Sequence, residues 1–243
     1  MDKEALSAKV LALISHKLRT PLSIINGYSE AILSQAGKEK FSPFTSKALG
    51  EIYKQGNRMS FLVDKLMAFN KVYAAEAAHL EKQTVEIKAL IKECASKAIA
   101  QEEDPIPVST TGGVKRGTFV EIDCSNQLTL VANAEMLQLT IQELLENAIK
   151  FNNKMEKIIK VQVTNHGDSV SISVRDYGVG IRPQDVSKIF EPFYQVDDYF
   201  TGQVSGWGLG LPMAQRVLDL HGGSISVVSD RGLGSIFTLS FPL

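Results

Sequence analysis

Cysteine is scarce in this chain. Cys94 and Cys124 are the only two in 243 residues. They are far apart and in no metal-ligand spacing, which excludes a disulfide framework and a cysteine-built zinc site. Both read as reduced thiols in a cytosolic setting. A charge excess of either sign is also missing: 26 Lys and Arg face 27 Asp and Glu, for a net charge of −1. That balance argues against nucleic acid or an anionic membrane as the main partner. No apolar run approaches the roughly 20 residues that a membrane-spanning helix needs, and no signal-peptide pattern opens the chain. Internal repeats and low-complexity segments are lacking too. What remains is an ordinary globular composition, 44% hydrophobic and 22% charged, long enough for one or two domains.

The first third predicts two helices. From about Lys3 to Gln35, Leu6, Val10, Leu13, Ile24, Tyr28 and Ile32 recur at helical steps, and Pro21 predicts a kink because proline has no N–H for the preceding turn. A polar turn follows Gly37. Ser42 then caps a second helix with Pro43 at its first position. Leu49, Ile52, Gly56, Met59, Val63, Leu66 and Asn70 alternate three- and four-residue steps, a heptad seam. One helical hairpin cannot bury two such seams alone, so residues 1–75 are expected to pair with a second copy as a homodimeric four-helix bundle.

After Ala74 the pattern changes. Strands are expected at Thr84–Ile87, Phe119–Ile122, Leu128–Val131, Ile158–Val163, Val170–Val174, Ser224–Val228 and Ser235–Phe241, with Phe119–Ile122 paired to Leu128–Val131. Helices are expected at Lys88–Gln101, Ala134–Phe151 and Leu209–Leu220. The polar stretch from Glu102 to Gly117 reads as a loop. Together these make an α+β sandwich, a mixed sheet with helices on one face, over residues 80–243.

Several short patterns carry chemistry. His16, in Leu13-Ile14-Ser15-His16-Lys17-Leu18-Arg19-Thr20-Pro21-Leu22, places an imidazole mid-helix; by itself it is an incidental His as readily as a nucleophile. Glu143, Asn147 and Lys150 share a helix face at steps of four and three. Their carboxylate, amide oxygen and ammonium suit a metal–phosphate group, although a solvated helix face explains the triplet equally well. Asp176-Tyr177-Gly178-Val179-Gly180 follows a strand; the carboxylate can accept from an exocyclic amine, and the glycines let backbone approach a flat ring. Gly206-Trp207-Gly208-Leu209-Gly210-Leu211 opens a helix, where backbone N–H groups and the dipole favour phosphate. A Rossmann reading of this loop fails for want of a βαβ unit with a downstream acidic residue. Between the two glycine motifs, the stretch from Phe190 and Phe193 to Ser205 has the length of a mobile cover over a nucleotide or of an ordinary surface loop.

In that order and spacing, the patterns resemble the transmitter region of a two-component sensor histidine kinase over nearly the whole chain. The stretch around His16 looks like the H box, Glu143 to Phe151 the N box, Asp176 to Gly180 the G1 box, Phe190 to Phe193 the F box and Gly206 to Leu211 the G2 box; Gly232 to Phe237 looks like the last glycine motif. The resemblance implies a dimerisation and phosphotransfer domain over residues 1–75 and an ATP-binding domain, shared with gyrase, Hsp90 and MutL, over residues 80–243. It implies that His16 attacks the γ-phosphate of ATP and passes the phosphoryl group to an aspartate of a response regulator receiver domain. Asp176 would recognise the adenine amino group. Asn147, with Glu143 nearby, would hold Mg²⁺, and Lys150 would meet phosphate. Phe151, Gly178, Gly180, Gly206, Gly208, Leu209 and Gly210 would complete the nucleotide site. The expected location is cytoplasmic, either as a whole protein or as the cytoplasmic part of a larger sensor.

Some positions depart from the family pattern. Lys17 stands where an acidic residue usually follows the phosphorylated His, and an ammonium is no base unless its pKa is strongly lowered. The milder expectation is slower phosphotransfer; the sharper is a nucleotide-binding pseudokinase scaffold. A third alternative is an ATPase without histidine transfer. Thr20 matches the position tied to phosphatase activity, which Lys17 also puts in question. Glu143 stands where Asn is common, Gln195 where some members carry Arg near the γ-phosphate, and Trp207 where a small residue is usual. His79, His166 and His221 read as bystanders, with His221-Gly222-Gly223 a helix end.

Overall fold

The structure is a computed structural model that describes residues 17, 18, 20, 21, 24, 25, 27, 28, 42–100, 117–125, 127–196 and 206–243. His16, Arg19, the turn at Gly37, residues 101–116 and residues 197–205 lie outside the described residues. The chain forms two compact units, Met1–Ala68 and Phe69–Leu243. No described helix is long and apolar enough to cross a membrane.

In the first unit Lys17, Leu18, Thr20, Pro21, Ile24, Ile25, Gly27 and Tyr28 are helical, and Pro21 is buried. Helix α1 spans Pro43–Ala74. The Ser42 hydroxyl accepts from the Thr45 N–H at 3.2 Å, so the expected cap forms. Thr45, Ala48, Gln55 and Leu62 make the buried stripe of this unit's part of the helix. Part of the expected heptad seam stays open in a single copy. Leu49 is 41% exposed and Val63 47%, and Tyr53 and Met67 beside them are more exposed still. The helix carries two adjacent apolar stripes, and periodicity alone does not say which one a single copy buries.

In the second unit a five-stranded sheet runs in the order β2-β4-β5-β7-β6, with β2 at Gly117–Asp123, β4 at Glu156–Asn165, β5 at Ser169–Arg175, β6 at Ser224–Asp230 and β7 at Gly234–Pro242. Only β2 and β4 are parallel, so the sheet is mixed. Strand β1 (Gln83–Glu86) pairs separately with β3 (Thr129–Ala132), antiparallel. This corrects the expected hairpin between Phe119–Ile122 and Leu128–Val131. Instead β3 turns Leu130 and Ala132 inward, where Val85 of β1 is also buried, while β2 takes the edge beside β4.

Helices α2 (Ile87–Ala100), α3 (Ala134–Lys150) and α5 (Gly210–Leu220) bear the core; the short α4 is Pro183–Val186. Ile87 and Ile91 of α2, Leu137, Ile141, Leu144 and Leu145 of α3, and Leu218 of α5 pack into one cluster with Ile159, Ile172 and Leu239 of the sheet. Each such side chain contributes about 1.5–3 kcal/mol by leaving water. The other sheet face carries polar rows, such as Gln162–Ser173–Thr238–Ser226 across four strands. Helices thus cover one face, as the alternation implied.

The last turns of α1 belong to this second unit. Val72 packs with Met136 of α3 and with Val217 and Leu220 of α5, and Tyr73, Ala75 and Leu80 close around them. The rings of Phe69 and Tyr73 stack at 4.2 Å. Arg216 donates to the Ala75 carbonyl at 3.0 Å.

Candidate functional site

The site is assembled where the C-terminal end of α3 meets three glycine turns. Asn133 caps α3 by accepting from the Met136 N–H at 3.0 Å, which fixes the start of the helix. Glu143 is 7% exposed, whereas Asn147 and Lys150 are half-buried. The segment opening α5 lies directly against this face: a methyl group at Gly206 would collide with the Lys150 ammonium, and one at Gly210 with Glu143 Oε2. Lys150 and Glu143 are thus brought to the glycine-rich loop. Leu209 is 2% exposed and packs in the core, so it can offer a ligand only its backbone.

The turn after β5 meets the end of the same helix. Val179 donates its N–H to the Phe151 carbonyl at 3.1 Å, and Gly178 lies so close to that carbonyl that no side chain fits. Asp176 is 6% exposed and accepts from the Gly178 N–H at 2.8 Å. Burial pushes its carboxyl above the usual carboxylate range, opposed by the backbone N–H groups of Gly178 and Ser235. A buried carboxylate beside glycine backbone is suited to accept from an amine on a planar ring. Gly180 (φ +66°) touches the Asp230 carbonyl and Gly234 (φ +93°) the Asp176 carbonyl. The G1-like turn is therefore clamped by the β6–β7 turn, and Gly180 serves that clamp.

A third stretch borders the loop. Asp185, 2% exposed, accepts from Arg182 Nε at 2.6 Å and from the Tyr194 hydroxyl at 2.7 Å. The Arg182 and Tyr194 bonds hold its carboxyl below the usual range. Phe193 has φ +68°, alone among described non-glycine residues. Its N–H donates to the Gly208 carbonyl at 2.7 Å. The Gln195 amide donates to the Gly206 carbonyl at 2.8 Å. The sequence reading gave Asp185 and Tyr194 no role; the signal available was Arg182-Pro183-Gln184-Asp185, a helix start with an early acid.

One sequence reading changes here. His221 is buried and is no bystander: its Nε2 accepts from the Asn133 N–H at 3.0 Å and its Nδ1 donates to the Val217 carbonyl at 2.7 Å. The first of these bonds holds the residue that caps α3. In the first unit, partial burial, then the Arg58 guanidinium, lowers the Lys17 pKa. Thr20 is exposed.

Two domain families match the chain in order. Residues 7–73 match the His Kinase A phospho-acceptor domain, and residues 132–243 match the histidine kinase-, DNA gyrase B- and HSP90-like ATPase domain. The chain belongs to the sensor histidine kinase family. It is a two-component transmitter region. Signal transduction histidine-protein kinase AtoS of Escherichia coli K12 is 30% identical over 244 residues, covering 100% of this chain and 36% of AtoS. The chain spans 27% to 54% of the length of the first curated relatives it matches. Full-length ShkA, solved in complex with AMPPNP, is similar with a TM-score of 0.63 and 25% identity, covering 96% of this chain and 45% of ShkA. Histidine kinase ThkA, solved in complex with response regulator protein TrrA, shares the fold with a TM-score of 0.70 at 23% identity, covering 99% of this chain and 63% of ThkA.

Proposed function

We propose that the protein is an ATP-dependent histidine kinase that phosphorylates His16 and passes the phosphoryl group to an aspartate of a response regulator. The observation that carries this is the convergence of Glu143 and Lys150 on the loop Gly206–Gly210, with buried Asp176 clamped beside the end of the same helix. Asp176 accepts from the adenine amino group, and Phe151, next to it, offers an apolar face. Lys150 and the N–H groups of the loop receive phosphate oxygens. Glu143 and Asn147 fit a magnesium ion, which takes hard oxygens from one or two side chains and the rest from phosphate and water. Bound Mg²⁺ would supply charge neutralisation on the phosphates. A neutral nitrogen of His16 then forms the bond to the γ-phosphorus as the bond to the leaving ADP oxygen breaks. What the protein contributes is alignment and charge.

The exposed stripe of Leu49, Tyr53, Val63 and Met67 on α1 supports a homodimer, since such a row is suited to cover by a second copy. The ThkA–TrrA complex supports a receiver domain as partner, and ShkA with AMPPNP supports ATP as ligand. A cytoplasmic location belongs to the same reading.

Lys17 favours a second reading, a nucleotide-binding scaffold without transfer. Incubation with γ-³²P-ATP and Mg²⁺ decides between them. Acid-labile, base-stable label on the parent and none on His16→Gln supports the kinase. ATP binding that Asp176→Ala abolishes, with no label on the parent, supports the scaffold.

A further inference from the structure

The 193–195 segment is bonded to the glycine-rich loop on one side and to Asp185 on the other. Phe193 N–H reaches the Gly208 carbonyl and the Gln195 amide reaches the Gly206 carbonyl, at 2.7 and 2.8 Å. The Gly206 carbonyl shares its peptide plane with the Trp207 N–H and the Gly208 carbonyl with the Leu209 N–H, so the two bonds fix the direction of these two loop donors. Tyr194, between the two tied residues, is fixed from behind by Asp185, whose carboxylate is held in turn by Arg182 at 2.6 Å. Phe193 stays in the left-handed region despite its side chain, a conformation that persists only where neighbours impose it. The space that lets it do so is at Gly208: a methyl group there would strike the backbone of Phe193 and Tyr194.

We propose that Asp185, Tyr194 and Gln195 are positioning residues for nucleotide binding, a latch that presents the Gly206–Gly210 loop to phosphate. Gln195 ties the loop through the Gly206 carbonyl and makes no phosphate contact of its own. The inference rests on the nucleotide site proposed above. It predicts that the latch sets affinity and leaves the chemical step alone, because neither Asp185 nor Tyr194 reaches the reacting groups.

The test uses the full 243-residue chain with Mg²⁺ and a fluorescent mant-ATP probe, alongside autophosphorylation kinetics. Tyr194→Phe removes the hydroxyl and keeps the ring; Gln195→Met keeps the length and removes the donor. Each is expected to raise the Kd for mant-ATP about tenfold, the worth of one good hydrogen bond. The KM for ATP should rise in step, with kcat within about twofold of the parent. Asp185→Ala combined with Tyr194→Phe should weaken binding no more than about twofold beyond the worse single variant, since both remove the same bond. A Kd within about twofold of the parent for both Tyr194→Phe and Gln195→Met would overturn the latch while the kinase reading stood, and so would a loss confined to kcat. Failure of the parent itself to bind mant-ATP would overturn the nucleotide site and the latch with it.

Discussion

His221 should make the nucleotide-binding unit sensitive to mild acid. Its ring is 6% exposed. Because the Asn133 N–H is a donor, Nε2 must be the acceptor and the single proton sits on Nδ1, facing the Val217 carbonyl. Protonation puts a second N–H against that of Asn133 and breaks the bond that holds the cap of α3. Burial lowers the folded pKa below the ordinary 6.5, and Lys82 lowers it further, while the Val217 carbonyl opposes both. The sign follows: stability from the neutral ring is fully present above pH 6.5 and is lost as pH falls from 6.5 towards the lower folded value. The loss reaches at most about 1.4 kcal/mol per pH unit. His221→Leu removes the titrating group and leaves a buried N–H unpaired, so it should cost about 1–3 kcal/mol at pH 7.5 and flatten the slope. Trp207 is the single tryptophan and lies in this unit, so urea unfolding followed by its emission reports the right cooperative block. Between pH 7.5 and 5.5 the parent should lose more stability than His221→Leu. Equal losses would refute the assignment of tautomer and burial to this ring.

Gly234→Ala should destabilise the same unit by at least about 2 kcal/mol, because φ there is +93° and the added methyl meets the Asp176 carbonyl; calorimetry of the melt checks the first effect and mant-ATP titration the accompanying loss of affinity. Asn152 is 2% exposed, and its Nδ2 has no partner among the described residues while its Oδ1 accepts from the Lys154 N–H. Asn152→Thr keeps an acceptor and removes the orphan donor, so the variant should be more stable by up to about 1 kcal/mol in urea; a clear loss of stability would show that the amide is satisfied.

The architecture was legible where periodicity was strong. Leu137, Ile141, Leu144 and Leu145 announced α3, and alternating Val170, Ile172 and Val174 announced β5. The glycine turns were legible because only glycine fits them, as the close approaches at Gly178 and Gly234 make plain. Strand partners were not: β3 follows β2 closely in sequence yet pairs with β1, a choice made by long-range packing. Nor could the sequence say which apolar stripe of α1 one copy buries, since Ala48 and Leu49 are equally plausible until the neighbours are known. His221 and Asp185 escaped notice for one reason. Their worth lies in partners 88 and nine residues away, Asn133 and Tyr194, and no local pattern marks such bonds.

The burial of Val72 against Met136, Val217 and Leu220 bears on how the protein is cut for study. A fragment beginning at residue 80, where strand β1 is about to start, would lack the plug that α1 supplies. Three apolar side chains on α3 and α5 would then face solvent as one patch. Such a fragment is prone to self-association and low solubility even if its sheet is intact. Beginning at Phe69 keeps the plug in place and with it the stacked rings of Phe69 and Tyr73.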